Sequence, residues 1–265
     1  MKIKCHSQYN HFPIYGSNDN DCALELWNDG KIWEYINRYP KVNRGSALLI
    51  EPRSLQPGTY VLVESSYEKF DNIFTHDSQL LSLLPNARPI VYWRDYELND
   101  EEKTKQISFI CGSKEMCSYH LMRKRLAEVL QDKVDVLGDW NGGDRVSTHD
   151  AHAPYKFSIV IENYIDDYWF TEKILNCFAN KTVPIYFGAR KISDFFNKMG
   201  IIQVENIWTI PIVIDEYAND FDELYDLMKP GIEDNFERVQ KYRDFEDWFV
   251  KHYGEDENAK NIDNE

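Results

Sequence analysis

The sequence predicts an α/β protein with parallel sheets, and three observations carry that prediction. Residues 155–188 read as strand, polar loop, helix, strand. The apolar run Phe157 to Ile161 closes on Glu162-Asn163, Thr171 is placed to cap a helix with Glu172 in its first turn, and a second apolar run, Val183 to Phe187, ends on Gly188. Short apolar runs also recur through the first part of the chain, with helical or irregular segments between them. A strand pattern then restarts at Gln106, after the acidic, polar stretch Asp95 to Lys105. That stretch is the best linker candidate in the chain, and a solvated surface loop accounts for it equally well.

Taken in order, Lys2-Ile3-Lys4-Cys5 opens as a strand candidate and a turn-rich stretch, Ser7 to Asn20, follows. Asp19 or Asn20 is placed to cap a helix running through Cys22, Leu24, Leu26, Trp27 and Trp33. Ala47 to Ile50 is an apolar run that ends on Glu51-Pro52-Arg53. Tyr60 to Val63, Asn72 to Thr75 and Ile90 to Trp93 are further strand candidates, with a short helix from Ser78. In the second half Gln106 to Cys111 is a strand ended by Gly112, Ser118 to Gln131 is a helix, and Val134 to Leu137 is a strand. The helix carries a basic cluster, Arg123-Lys124-Arg125, most simply a solvated face. Trp140-Asn141-Gly142-Gly143-Asp144 reads as a loop whose glycines let a ligand approach the backbone. After residues 155–188 come a short helix, Ile192 to Phe196, a strand, Ile201 to Val204, and helices over Phe221 to Met228 and Phe236 to Tyr253. Glu255 to Glu265 is a polar tail.

Composition narrows the function. A hydrophobic fraction of 43% over 265 residues suits one large domain or two modest ones with a real core. The net charge of −15 argues against general nucleic-acid binding, which needs a basic footprint, and leaves room for a small anion held by local cations. Five cysteines without zinc or redox spacing read as reduced thiols, and with no signal peptide or membrane-length apolar run the expectation is a cytoplasmic protein without a transmembrane segment. Gly142-Gly143 lacks the dinucleotide-binding spacing. The seven histidines show no metal-ligand pattern, and His149 and His152 read as loop decoration. Asp19-Asn20-Asp21 has an Asp-x-Asp spelling that helix capping explains better, so no metal site is expected.

Two parallel strands joined by a helix place a ligand site beyond the carboxyl ends of the strands. Glu162, Asn163, Glu172 and Lys173 fall at that end, although an ordinary crossover with a solvated loop has the same spacing.

The same stretch carries a family resemblance. Tyr155-Lys156-Phe157, Glu162-Asn163, Thr171-Glu172-Lys173-Ile174, Phe178, Pro184-Ile185-Tyr186, Gly188 and Asp194-Phe195 stand in the order and spacing of the α-1,3-fucosyltransferases, glycosyltransferase family 10. More loosely, Leu48 to Ser54 looks like the family's Phe-Glu-Ser-Pro-type segment and Phe70 to Phe74 like its Phe-Asp strand. The resemblance implies a GT-B-like enzyme, two Rossmann-like domains facing across a cleft. Residues 1–100 would form an acceptor-side domain, 101–230 the nucleotide-sugar-binding domain, and 231–265 a C-terminal helix and tail packing back across them. The reaction implied is inverting transfer of fucose from GDP-fucose to a hydroxyl of a glycan acceptor, with no cofactor required.

It also implies roles. Lys173, at a helix start, and Arg123 would meet the phosphates, with Arg125 the alternative to Arg123; Glu172 would accept the ribose hydroxyls. Asn141 and Gly142 correspond to the Gly-rich loop and Thr171 to the head of the motif; Glu162 would anchor the loop or contact the sugar, and Asn163 would form its turn. Glu51 matches the base that removes the acceptor's proton. Where the family carries Tyr before the Thr-Glu-Lys, this chain has Trp169, which keeps a stacking surface without the hydroxyl.

Overall fold

The computed structural model describes residues 3–7, 24–38, 45–90, 96–242 and 245–253. Two compact units divide the chain, Met1–Asp95 with Lys241–Glu265, and Tyr96–Gln240. Each unit holds one wholly parallel sheet flanked by helices, the α/β, Rossmann-like architecture expected.

The first unit runs β1 (Ile3–His6), β2 (Leu24–Asn28), α1 (Lys31–Arg38), β3 (Ser46–Leu48), α2 (Pro57–Ser65), β4 (Ile73–Thr75), α3 (Ser78–Leu83) and β5 (Ala87–Pro89), with the strands side by side in chain order. Two expectations fail here. Leu24 to Trp27 is a strand, because it pairs on both sides with β1 and β3, and the helix starts only after the Asp29-Gly30 turn. Tyr60 to Val63 is helix: Pro57 sits at its first turn, and Tyr60 and Val63 face inward at helical spacing while Val61 faces out. The expected strand at Ile90 to Trp93 is preceded by β5, and its last three residues, like Asp19-Asn20-Asp21, lie outside the described residues.

The second unit runs β6 (Lys105–Ile110), α4 (Ser118–Leu130), β7 (Asp135–Leu137), α5 (Thr148–His152), β8 (Tyr155–Ile161), α6 (Glu172–Ala179), β9 (Val183–Phe187), β10 (Ile202–Gln203), α7 (Ile210–Glu216) and α8 (Phe221–Val239). Its strand order is β10-β9-β8-β6-β7. The chain therefore leaves β6 first to one side, for β7, and then to the other, for β8, so a topological switch point lies between β6 and β8. On β8, Phe157, Ile159 and Ile161 join the cluster formed with Leu126 and Leu130 of α4 and Phe221 and Ile232 of α8. The alternate residue Ser158 meets the α5 and α6 side, where the Ser108 hydroxyl donates to the Ala151 carbonyl and shares a hydrogen bond with the Ser158 hydroxyl. A strand covered on both faces reads as an unbroken apolar run, and burying each large side chain stabilises by about 1.5–3 kcal/mol.

The acidic stretch before β6 is not a free linker. Lys103 plugs into the unit, its ammonium donating to the carbonyls of Ala153 and Asn180 and to the Thr182 hydroxyl. His152 is buried rather than loop decoration. Ile192 to Phe196 contains only a 3-10 turn, Ile192–Asp194. The expected break between the two last helices is displaced: α8 carries the Phe221 to Met228 helix on through Pro230 to Val239, so a domain edge at 230 would cut it, and the second expected helix begins only at Phe245. Its Gly231 lies against the Lys198–Gly200 turn, where an added Cβ would stand 2.3 Å from the Gly200 nitrogen, and Asn235 is bonded to both the N–H and the carbonyl of Asn197. The final helix α9 (Phe245–Tyr253) belongs to the first unit, with Phe249 packed edge-on against Phe74 of β4. Cys5, Cys111, Cys117 and Cys177 are free thiols. Among the described residues, no helix is long and apolar enough to cross a membrane.

Candidate active site

At the switch point of the second unit, β8 delivers Glu162. Alternation along the strand turns this residue to the α6 side, and its side chain is 0% exposed. The N-terminus of α6 answers it. Thr171 donates to the Glu162 carboxylate from its backbone N–H at 3.0 Å and from its hydroxyl at 2.9 Å. Lys173 donates to Glu162 Oε2 at 3.2 Å and to the Thr171 hydroxyl at 2.8 Å. Thr171 is also the helix cap, so one residue both starts α6 and ties it to the strand. Glu172 is more open, its side chain 42% exposed, with Oε1 3.6 Å from the Lys173 ammonium.

These contacts fix the charge states. Burial alone would favour neutral Lys173, but the Glu162 and Glu172 carboxylates outweigh it and raise its pKa above the ordinary value. Burial likewise opposes charge on Glu172, and Lys173, a backbone N–H and the Thr171 and Lys173 hydrogen bonds outweigh it and lower its pKa. Both groups are ionised at neutral pH.

The segment following β6 supplies the opposite wall. Arg123, on α4, is half-buried, and burial depresses its pKa while Cys111, Glu162, Cys117 and Glu172 act against that. Among the described residues no carboxylate lies within ion-pair distance of its guanidinium, so the charge is held at the site with its five N–H donors uncommitted. His120, one helical turn earlier, is buried, and its Nδ1 accepts the Met116 N–H at 3.0 Å, which leaves the neutral ring's proton on Nε2. Burial, Arg123, Lys114 and Lys173 push its pKa down to about 4, against a hydrogen bond with Asn163. Sequence reasoning missed His120; its spacing of three from Arg123 on one helix was the available signal.

Other expected residues are placed less centrally. Arg125 is exposed and stands about 200° around α4 from Arg123, so it does not share the site. Asn141 and Gly142 are exposed in the loop after β7; Gly142 has φ +87 and an added Cβ would meet nothing within 4 Å. Trp169 is buried, within a loop pinned to the turn after β9 by Arg190 N–H to Asp166 O and Lys191 N–H to Asp167 O. Beyond that turn's start, Gly188 is obligatory: a Cβ there would stand 2.2 Å from the Tyr186 hydroxyl, which accepts the Ala189 N–H at 2.9 Å.

Glu51 belongs to the first unit, just beyond β3. Its N–H donates to Asp29 at 3.3 Å and its carbonyl accepts the Tyr60 hydroxyl at 2.9 Å. Behind it, Arg53 bonds both oxygens of Asp77 at 3.0 Å and Glu64 at 2.9 Å.

Residues 100–228, the stretch that includes Arg123, Glu162 and the Thr171-Glu172-Lys173 motif, match the family model described as glycosyltransferase family 10 (fucosyltransferase), C-terminal part. That stretch is just under half of the chain, and the likeness to glycosyltransferase family 10 is a likeness of that stretch. An α-(1,4)-fucosyltransferase of Arabidopsis thaliana is 33% identical over an 82-residue alignment that covers 26% of this chain and 20% of that protein. The match thus spans only about a fifth of the curated relative. A solved α1,3-fucosyltransferase with GDP superposes at a TM-score of 0.54 with 14% identity, covering 92% of this chain and 81% of that one. TarM superposes at 0.59 with 11% identity, covering 86% of this chain and 53% of its own. At such identities the likeness speaks for the GT-B-like fold alone. The family 10 likeness is carried by the motif stretch, and Glu51 lies outside the matched residues.

Proposed function

We propose that this chain is a family 10 glycosyltransferase that moves fucose from GDP-fucose to a hydroxyl of a glycan acceptor, with inversion and of the α-1,3 type. The observation that carries the reading is the convergence of Arg123, Lys173 and the head of α6 at a parallel-sheet switch point. Breaking the sugar–phosphate bond leaves charge on a diphosphate. Fixed cations and N–H donors in a partly buried site stabilise that charge more in the transition state than in the ground state. In this reading Arg123 and Lys173 meet the phosphates and Glu172 accepts the ribose hydroxyls. Thr171 and Glu162 hold Lys173 in place, with Asn163 as the turn after the strand. Glu51 takes the acceptor's proton. Protein charges carry the chemistry, and no cofactor enters the proposal.

The chain resembles TarM in fold as closely as it resembles a fucosyltransferase, so the donor base is the point to test. Thermal shifts with GDP, UDP, CDP and dTDP should show selective stabilisation by GDP. The expected size is about 2.7 kcal/mol at a hundredfold excess over Kd. A preference for UDP would replace the fucose reading with another nucleotide-sugar. GDP binding without transfer or hydrolysis of GDP-fucose would make this a binding protein on the same fold.

A further inference from the structure

Strand β2 ends at Asn28, and Asn28 with Asp29 of the following turn holds the end of β3. Asp29 is 2% exposed and adopts φ 43, a left-handed conformation that side chains other than glycine seldom take. Its N–H donates to the Leu48 carbonyl at 3.0 Å. Its carboxylate accepts the Ile50 N–H at 3.0 Å and the Glu51 N–H at 3.3 Å from each oxygen. Asn28 completes the clamp, donating to Asp29 Oδ2 at 2.9 Å and to the Leu48 carbonyl at 3.1 Å. With Tyr60 bonded to the Glu51 carbonyl, the Glu51 peptide groups are held on both sides.

We propose that Asp29 is the positioning residue of Glu51: its buried carboxylate fixes the Ile50–Glu51 backbone so that the Glu51 side chain leaves the strand end in one direction. The proposal rests on Glu51 being the base. A turn could be made at this point by glycine without strain; keeping a strained, buried aspartate here is accounted for by the three N–H contacts it makes. The groups facing Asp29 are Cys5 of β1, the Asn28 amide and Glu51, and among the described residues no cation lies within ion-pair distance. Burial, with Glu51 adding to it and the backbone N–H groups opposing, raises the Asp29 pKa to about 7, and burial and Asp29 push the Cys5 thiol up to about 12. The fully ionised clamp therefore forms across neutral pH.

Two variants test this. Asp29→Asn keeps the shape but turns a donor towards the Glu51 N–H, and Asp29→Gly adopts the same φ freely while removing the clamp. The probe is turnover of GDP-fucose, with water or a glycan as acceptor, alongside GDP affinity and circular dichroism. Both variants should fold, bind GDP within twofold of the parent chain, and lose about 100-fold in kcat with donor KM little changed. The acid limb of the kcat profile near neutrality should vanish in Asp29→Asn. If Glu51→Gln abolishes turnover while folded Asp29 variants keep kcat within threefold, the positioning role is wrong and the base stands. If Glu51→Gln turns over normally, or the parent chain does not turn over GDP-fucose, the base reading falls and this proposal with it.

Discussion

Glu162 and Asp29 are both buried carboxylates at the carboxyl end of a parallel strand, and the groups they face differ in kind. Glu162 faces Thr171 and the ammonium of Lys173. Asp29 faces two backbone N–H groups and the Asn28 amide. A cation offsets the cost of a buried carboxylate by direct attraction; neutral dipoles offset less of it, and the carboxyl then keeps its proton to higher pH. At Glu162 the partner is itself a charge that a ligand can use. At Asp29 what is held is a piece of backbone. The second unit is built to present charge and the first to present geometry.

The largest expected effect falls on the first of these roles to be chemical. Glu51→Gln should lower kcat by about 10²–10⁴-fold while leaving GDP affinity unchanged, because only the proton acceptor is lost. Steady-state turnover and calorimetric titration of GDP separate the two quantities. Normal turnover in this variant, with Lys173→Ala inactive, would put the base elsewhere and leave the first unit without a catalytic group.

Lys173→Ala comes next, with a loss of about 10²–10³-fold in kcat/KM and most of the GDP-induced thermal shift. The unliganded variant should also melt earlier, since Glu162 is left as a buried carboxylate without its cation. An undiminished GDP shift would mean that Arg123 alone supplies the charge, and the contrast between the units would then rest on one arginine.

The two units also differ in how far they could be read from sequence. The strand, loop, helix and strand of residues 155–188 were legible because their contacts are local: Thr171 caps α6 and meets Glu162 within the same motif. Asp29 was not, because its partners lie on the next strand, and the Asn28-Asp29-Gly30 turn was absorbed into a helix expected to begin earlier. Its signal was an Asp-Gly pair closing an apolar run. The Tyr60 to Val63 error has a similar origin. Pro57-Gly58 marks a helix start, yet β-branched Val61 and Val63 favour a strand until Tyr60 and Val63 are seen packed on one side. The family resemblance offers Arg123 with Arg125 as its alternative, whereas the separation of the two is a matter of helical angle already contained in the run Ser118 to Leu130.

Buried histidines set the acid limit of both units. His76 in the first and His152 in the second are fully buried, and burial pushes each pKa down to about 3; His120 is pushed to about 4. A folded-state value below the free side chain's means that the unfolded chain takes up the proton first. Stability is then complete above about pH 6.5 and falls as the pH drops towards 3, by about 1.4 kcal/mol per pH unit for each fully buried histidine. Asp29 runs the other way, since its raised pKa adds stability that is full in acid and lost as pH rises through about 7. The histidines outnumber it, so the melting temperature should fall on acidification from pH 7 to pH 4. A flat profile would show that these rings find proton acceptors on charging.

The smallest effect should be Arg125→Ala, within twofold in kcat/KM and in GDP affinity. Arg125 is exposed and turned away from Arg123 on the same helix, and an exposed charge at a distance is screened by salt. The value of the experiment lies in its pairing with Arg123→Ala, which removes the same charge from a half-buried position facing Glu162 and Glu172 and should cost the chain most of its GDP affinity. Equal losses from the two would mean that the second unit attracts its ligand by overall field rather than by placed donors. Unequal losses, with Arg125 nearly silent, would locate the effect in the desolvated guanidinium and its fixed direction.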